Sequence, residues 1–458
     1  MRFKGSALTD GGGTIGVRLS DRRLAHGRVP RNARAQSGSP AARPANLLAA
    51  MFALAGVVLP SGLQFSLGPG VTFTPGRLGA ALLFFPALLV LCKKGRHFVL
   101  CDFLALATAA WMIVASIASV GVSEIPTAGG DALDFLGGYL ISRAYFFGRP
   151  ALDTFIRVLK IFAIIVIILA MADTISGRVI VHETIVPWDQ AWGEGQIRNG
   201  WVRAMSTFDH PILFGVFCAL TAAILLYWEK TLLRRSVAAG LCFLGCISSL
   251  SSAALMAFSI SLITFTYDQL LRRYSWRWSA FWITIGTLIF VVFVVAAHPL
   301  NWVLSHLTLD PQTGYYRKMI WDMALDYIAK SPVIGYAYHL NDVFLDSSVD
   351  CIWLVLSLRF GVPMFVLFFL TNVAAFFPSQ RNFKGAGDVH MDQMRRAFTL
   401  VLLMFMFTGL TVHFWKSMLM FWGLCLGIRA SLRELTIETE IGSIVRNHQK
   451  AFASAMVQ

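Results

Sequence analysis

The sequence predicts an all-helical, polytopic membrane protein with about 12 transmembrane helices, and three observations carry that reading. Of 458 residues, 56% are hydrophobic and 14% charged, too little charge to cover a soluble domain of this size. Apolar stretches close to the roughly 20 residues that a spanning helix needs recur along the chain. The cations are also confined. All but ten of the 39 Lys and Arg lie in or beside segments that share one side if the helices alternate and both termini are cytoplasmic, which is the bias of cytoplasmic loops. The net charge of +14 is thus a topology signal, and no nucleic-acid partner is expected.

Residues 1–44 are rich in Arg, Gly and Ala and hold no apolar run. They read as a disordered basic cytoplasmic arm, apt to touch anionic lipid, and not as a cleavable signal peptide. The transmembrane domain, 45–430, opens with segments at about 45–60, 76–92, 98–119, 129–147 and 154–175. Its middle holds 209–227, 236–250, 252–268 and 279–298, the tight pair around Ser249 and Ser252 being also readable as a re-entrant hairpin. It closes with 349–377, 396–412 and 415–430, and a cytoplasmic tail follows at 431–458. Two outer segments are long, about 177–208 and about 299–348. Long loops are functional or unordered. The second holds Trp302, Tyr315, Tyr316, Trp321, Tyr327, Tyr336 and Tyr338, which argues for order.

Within that large loop Ile320, Met323, Ala324, Tyr327 and Ile328 share one helical face. Lys318 with Asp322, and Asp326 with Lys330, stand four residues apart on the other side. Pro332 ends the helix. The pattern fits a short amphipathic helix lying on the outer membrane surface and, equally, a lid packed on the bundle.

A few charged residues need explaining. Arg143 lies inside an apolar segment, where a charge marks a functional candidate or snorkels to the nearby interface. Arg203 and Arg317 stand on separate outer loops, and a guanidinium is a planar fork of donors matched to phosphate oxygens. Asp350, in "DSSVDCIWLVLSLRFG", sits at the mouth of a long apolar helix, as a helix cap or as a chemical group. There is no P-loop, GxSxG elbow, HExxH or EF-hand. His182, His210, His298, His306, His339 and His413 lack metal-ligand spacing, and the seven cysteines form no disulfide or zinc pattern. No cofactor and no metal are expected.

Together these stretches resemble the O-antigen ligase and polysaccharide polymerase family, bacterial membrane enzymes that move glycan from undecaprenyl pyrophosphate. "TPGRLGAALLFF" (74–85) is similar to the family's Arg at the start of an early helix. "YLISRAYFFGR" (139–149) resembles its helix ending in a small-residue, Arg and aromatic run. "VRAMSTFDHPILFGVFCAL" (202–220) is similar to its Arg-led segment before a middle helix. "YYRKMIWDMALDYIAKSPVIGYAY" (315–338) and "SVDCIWLVLSLRFGVP" (348–363) resemble the Arg-Trp helix of the large loop and the loop's end.

The resemblance implies a glycosyltransferase needing no metal, in the bacterial inner membrane with its site facing the periplasm. It implies Asp350, Arg317 and Arg203 as the catalytic set, and Arg77, Arg143, Trp321, His210 and His339 as substrate-binding. The implied partners are the undecaprenyl-pyrophosphate-linked glycan, membrane lipid, and a chain-length regulator or export complex. The family's ligases carry His-Asn about eleven residues before a Gly; here Asp350-Cys351 stands there before Gly361, and His339 is too early to match. The expectation is therefore a polymerase of exopolysaccharide or O-antigen, with a ligase as the alternative. A secondary transporter is the rival from another class, but no two-half repeat is visible and the polar residues gather on the outer side.

Overall fold

The computed structural model describes residues 44–68, 71–93, 95–185, 197–198, 200–295, 311–340, 342, 344–345, 349–377 and 389–435. They fall in one compact unit spanning 42–458. The arm, most of the tail, and parts of both long outer loops lie outside the described residues.

Helices dominate. α1 (Pro44–Val58), α2 (Pro75–Leu91), α3 (Leu100–Ser119), α4 (Ile125–Tyr145) and α5 (Arg149–Ser176) match the first five apolar segments. After the short α6 (Ile180–Thr184) come α7 (Pro211–Trp228), α8 (Leu232–Ser248), α9 (Ser252–Leu270) and α10 (Arg277–Val295). α11 (Pro311–Lys330) is the helix of the large loop, and α12 (Ile352–Phe376), α13 (Val389–Thr408) and α14 (417–435) follow among the described residues. Among the described residues, six helices are long and apolar enough to cross a membrane: α3, α5, α7, α9, α10 and α12. α1 and α2 are shorter apolar helices. Of the remaining segments read as spans, α4 carries Asp131, Asp134 and Arg143, α8 Arg234 and Arg235, and α13 Asp392, Arg395 and Arg396. These charges lower their hydropathy.

Local chemistry sets the helix starts. Thr74 accepts from the Arg77 amide at 3.3 Å with Pro75 following, and Thr231 accepts from the Arg234 amide at 3.4 Å. Gly177, left-handed at φ 68°, closes α5. α4 and α14 approach so closely that a Cβ on Gly423 would meet the Phe135 carbonyl oxygen. Large rings fill the core beside them: Trp422 stacks on Phe405 at 4.8 Å and meets Phe368 edge-on at 4.7 Å.

Ion pairs gather at two ends of the bundle. At one end Arg143 pairs with Asp102 and Glu434, His390 with Asp153, Lys160 with Glu229, and Asp268 with Arg277 and Arg396. These join the starts of α3, α5, α10 and α13 to the ends of α4, α7, α9 and α14. The opposite end holds Arg77, Asp131, Asp209, Arg317 and Asp350.

Two short hairpins were not expected from the sequence, β1 (Phe65–Gly68) with β2 (Val71–Phe73), and β3 (Ile197–Arg198) with β4 (Trp201–Val202). In α11, Ile320 and Ala324 are buried, and Met323, Tyr327 and Ile328 pack against the core. The apolar face thus lies on the bundle, against α12. Lys318 reaches Asp322 at 3.9 Å, whereas Lys330 lies over the Tyr327 ring at 4.9 Å.

Candidate functional site

Asp350 is not a helix cap. The residue at that position is Cys351, with no side-chain capping bond, and the Ile352 amide donates instead to the Gly409 and Val412 carbonyls at 3.0 and 3.2 Å. The Asp350 carboxylate turns to Arg317, whose Nη2 lies 3.6 Å from Oδ2. The Arg317 side chain is 13% exposed and that of Asp350 41%, so the carboxylate stays open to an incoming group. The Arg317 Nε is buried without a partner among the described residues.

The β3–β4 hairpin brings two more guanidiniums. Arg198 Nη1 donates to the Leu250 carbonyl at 2.8 Å, Arg203 Nε to the Ser249 carbonyl at 3.3 Å, and the Ala204 amide to the Ser248 carbonyl at 2.9 Å. Three successive carbonyls at the end of α8, where the helix dipole is negative, thereby orient both arginines. Each of these two arginines is held by neutral oxygens there.

Charge couples the group. Enclosure by protein raises the Asp350 carboxyl above the ordinary carboxylate value, against the pull of Arg317 and then Arg203. Burial and then the Arg198 cation bring Arg203 down to about 10, so it remains charged at neutral pH. Burial and then Arg203 push His210 down to about 3. His210 is therefore neutral, and its Nδ1 accepts from the Ile212 amide at 3.1 Å at the start of α7.

A second cluster stands at the same end. Arg77 reaches Asp134 and Asp131 at 3.0 Å each, Tyr338 donates to Asp131 at 2.8 Å, and Arg359 approaches Asp131 at 3.7 Å while lying over the Tyr338 ring. A break in α12 positions Arg359. Gly361 has φ 77°, and segment 332–337 docks into the break: Tyr336 and Ala337 amides donate to the Leu358 and Arg359 carbonyls, and Val362 to Pro332, each at 2.8 Å. A Cβ on Gly361 would meet the Val333 carbonyl oxygen, so the docking requires glycine.

Among the described residues, the non-glycine residues with left-handed φ are Ser206, Leu250, Ala337 and Lys416, and all four lie in loops of this end. Each such conformation costs on the order of 1–3 kcal/mol and persists where surrounding contacts impose it, often at functional sites.

Of the residues expected from the sequence, Arg203, Arg317, Asp350 and His210 come together. Arg77 lies at the same end but is engaged by its two carboxylates. His339 pairs with Glu124 at 3.0 Å. Trp321 packs on the core. Arg143 stands apart from these groups, about 18 Å along α4 from Asp131. All three of its nitrogens are taken by Asp102, Glu434, Ser431 and the His97 carbonyl. The sequence reading missed Arg198, Asp131, Tyr338 and Arg359. Arg198 alone carried a local signal, the Asn199-Gly200 pair of a hairpin turn. No group of three or more His, Cys, Asp or Glu suited to a metal occurs among the described residues.

Residues 237–369 match the O-antigen ligase family model, a stretch that runs from α8 into α12 and holds Arg317, Asp350 and Gly361. No curated protein matches the chain. Over this stretch, a little under a third of the chain, the sequence is similar to the O-antigen ligase family.

Proposed function

We propose that this protein is a membrane glycosyltransferase that polymerises undecaprenyl-pyrophosphate-linked oligosaccharide repeat units into exopolysaccharide or O-antigen. It works at the periplasmic face of a bacterial inner membrane. The observation that carries the reading is the Arg317–Asp350 pair at 3.6 Å, with Arg203 close enough to act on the same carboxylate. Arg198, Arg203 and Arg317 carry three positive charges against one carboxylate. That surplus of two suits a diphosphate, whose oxygens match guanidinium forks.

In the proposed step the acceptor hydroxyl attacks the anomeric carbon of the lipid-linked sugar. The new C–O bond forms as the bond to the phosphate oxygen breaks, and the lipid diphosphate leaves with the electron pair. Arginines aimed at that developing charge stabilise it without a metal. Asp350 takes the hydroxyl proton, and its raised pKa makes it a stronger base than an exposed carboxylate.

Asp350 in the place of the ligase His favours polymerisation, and the O-antigen ligase match keeps transfer to a lipid acceptor as the second reading. Reconstitution with radiolabelled undecaprenyl-pyrophosphate oligosaccharide separates them. A polymerase yields a ladder of lengthened lipid-linked chains with no added acceptor and in the presence of a chelator. A ligase yields product only when lipid acceptor is supplied. Vesicle uptake of oligosaccharide with no new glycosidic bond would mark a transporter and overturn both.

A further inference from the structure

We infer that Trp415, flanked by His210 and His413, is a carbohydrate platform that holds a sugar ring of the lipid-linked glycan beside the arginine cluster. The inference rests on the proposed function and adds a glycan subsite to it.

The segment 412–415 follows α13 without helical or strand pairing and alternates in burial. Val412 and Phe414 are 3% and 1% exposed and enter the core, whereas His413 and Trp415 are only partly buried. Val412 and Phe414 thus anchor the segment, while Trp415 packs partly against the core and, with His413, keeps part of its surface open. The His413 and Trp415 ring centroids are 5.3 Å apart. The His210 ring meets Trp415 edge-on at 6.2 Å.

The three rings are held in place. Lys416, directly after Trp415, has φ 43°. Its Nζ donates to Ser61 Oγ at 3.2 Å, and Ser61 in turn donates from Oγ and from its amide to the two Asp209 oxygens at 2.6 and 3.2 Å. Asp209 precedes His210. Ser61 thereby ties the Trp415 segment to the start of α7, and the strained turn at Lys416 persists because of that tie.

Placement and charge decide the ligand. His210 senses the Arg203 charge, and His413 senses that of Arg359. The rings therefore stand between the cluster of Arg203, Arg317 and Asp350 and the cluster of Arg359, Asp131 and Tyr338. Burial and these neighbouring cations push His413, like His210, down to about 3, so both imidazoles are neutral. A neutral aromatic surface offers little to a phosphate. It fits a sugar ring, whose C–H face packs on an indole while its hydroxyls meet the His413 imidazole and the polar rim of Asp131 and Arg359.

The test compares two probes on the full-length protein in lipid nanodiscs: undecaprenyl pyrophosphate, and the undecaprenyl-pyrophosphate-linked oligosaccharide extracted from a strain deleted for this protein. Trp415→Leu should weaken binding of the glycan-bearing lipid about tenfold and leave binding of the bare lipid diphosphate within about twofold. Trp415→Phe, which keeps a ring and disturbs packing less, should lose an intermediate amount for the glycan-bearing lipid alone. His413→Asn should do the same, which covers a Leu variant that fails to assemble. Variants that bind both probes as the wild type does, or that lose both equally while eluting as folded protein, overturn the platform. A wild-type protein that binds neither probe overturns the functional reading beneath it.

Discussion

At the scale of single residues, the question set by Asp350 is answered by where its carboxylate points. It meets Arg317 and leaves the Ile352 amide to backbone carbonyls. Arg317 and Arg203 both hold its pKa down against enclosure. Arg203→Ala removes one of these cations, so the Asp350 pKa rises further. A base must be deprotonated to act, and the acid limb of the turnover profile should therefore move to higher pH. A shift the other way would show that the two groups are not coupled. Asp350→Asn should lower turnover by about 100-fold or more with the donor still bound, the range for loss of a general base. Arg143 makes the contrasting case. Arg143→Ala leaves Asp102 as a buried carboxylate without its cation, while Glu434 keeps Arg96, and should destabilise by roughly 3–5 kcal/mol. Thermal unfolding should register that loss while the KM of the surviving folded enzyme is unchanged. The sequence showed Arg143 as a charge in an apolar run. It could not show that Asp102 and Glu434, 41 residues before and 291 after, satisfy it.

At the scale of elements, α11 and α12 act through the broken helix. Gly361 opens α12, and the chain from Pro332 to Ala337 fills the gap, setting Tyr338 and Arg359 against Asp131. Gly361→Ala should undock that segment, because its Cβ would overlap the Val333 carbonyl. Limited proteolysis between residues 331 and 340 should quicken and turnover should fall, while the protein still assembles in the membrane. Unchanged cleavage would mean that α12 absorbs the clash. The amphipathic pattern of α11 was legible because burial at Ile320, Ala324 and Tyr327 follows helical period. The break was not, since Gly361 precedes Pro363 in a run that reads as one continuous apolar helix. Segment 412–415 escaped notice for a related reason: it borders two apolar helices, and two-residue alternation over four residues is too short to read as an element.

At the scale of the whole molecule, the apolar segments all appear as helices at the expected places, because spanning length and charge confinement are properties of composition. Ion pairs then separate into two ends of the bundle, which composition alone does not reveal. The exposed thiol of Cys92 lies at the Arg143 end, whereas Ser66 lies in the first hairpin at the other. An impermeant maleimide should label Ser66→Cys in intact spheroplasts and should reach Cys92 only after permeabilisation. The reverse would put Arg203 and Arg317 on the cytoplasmic side. The central claim is that these arginines hold a diphosphate, and affinity for undecaprenyl pyrophosphate against undecaprenyl monophosphate measures it most directly. Wild-type protein should prefer the diphosphate, and Arg203→Ala and Arg317→Ala should each lose about 10- to 100-fold for it, as expected for charge-assisted hydrogen bonds. Arginine variants that bind the diphosphate as tightly as the wild type would contradict the account.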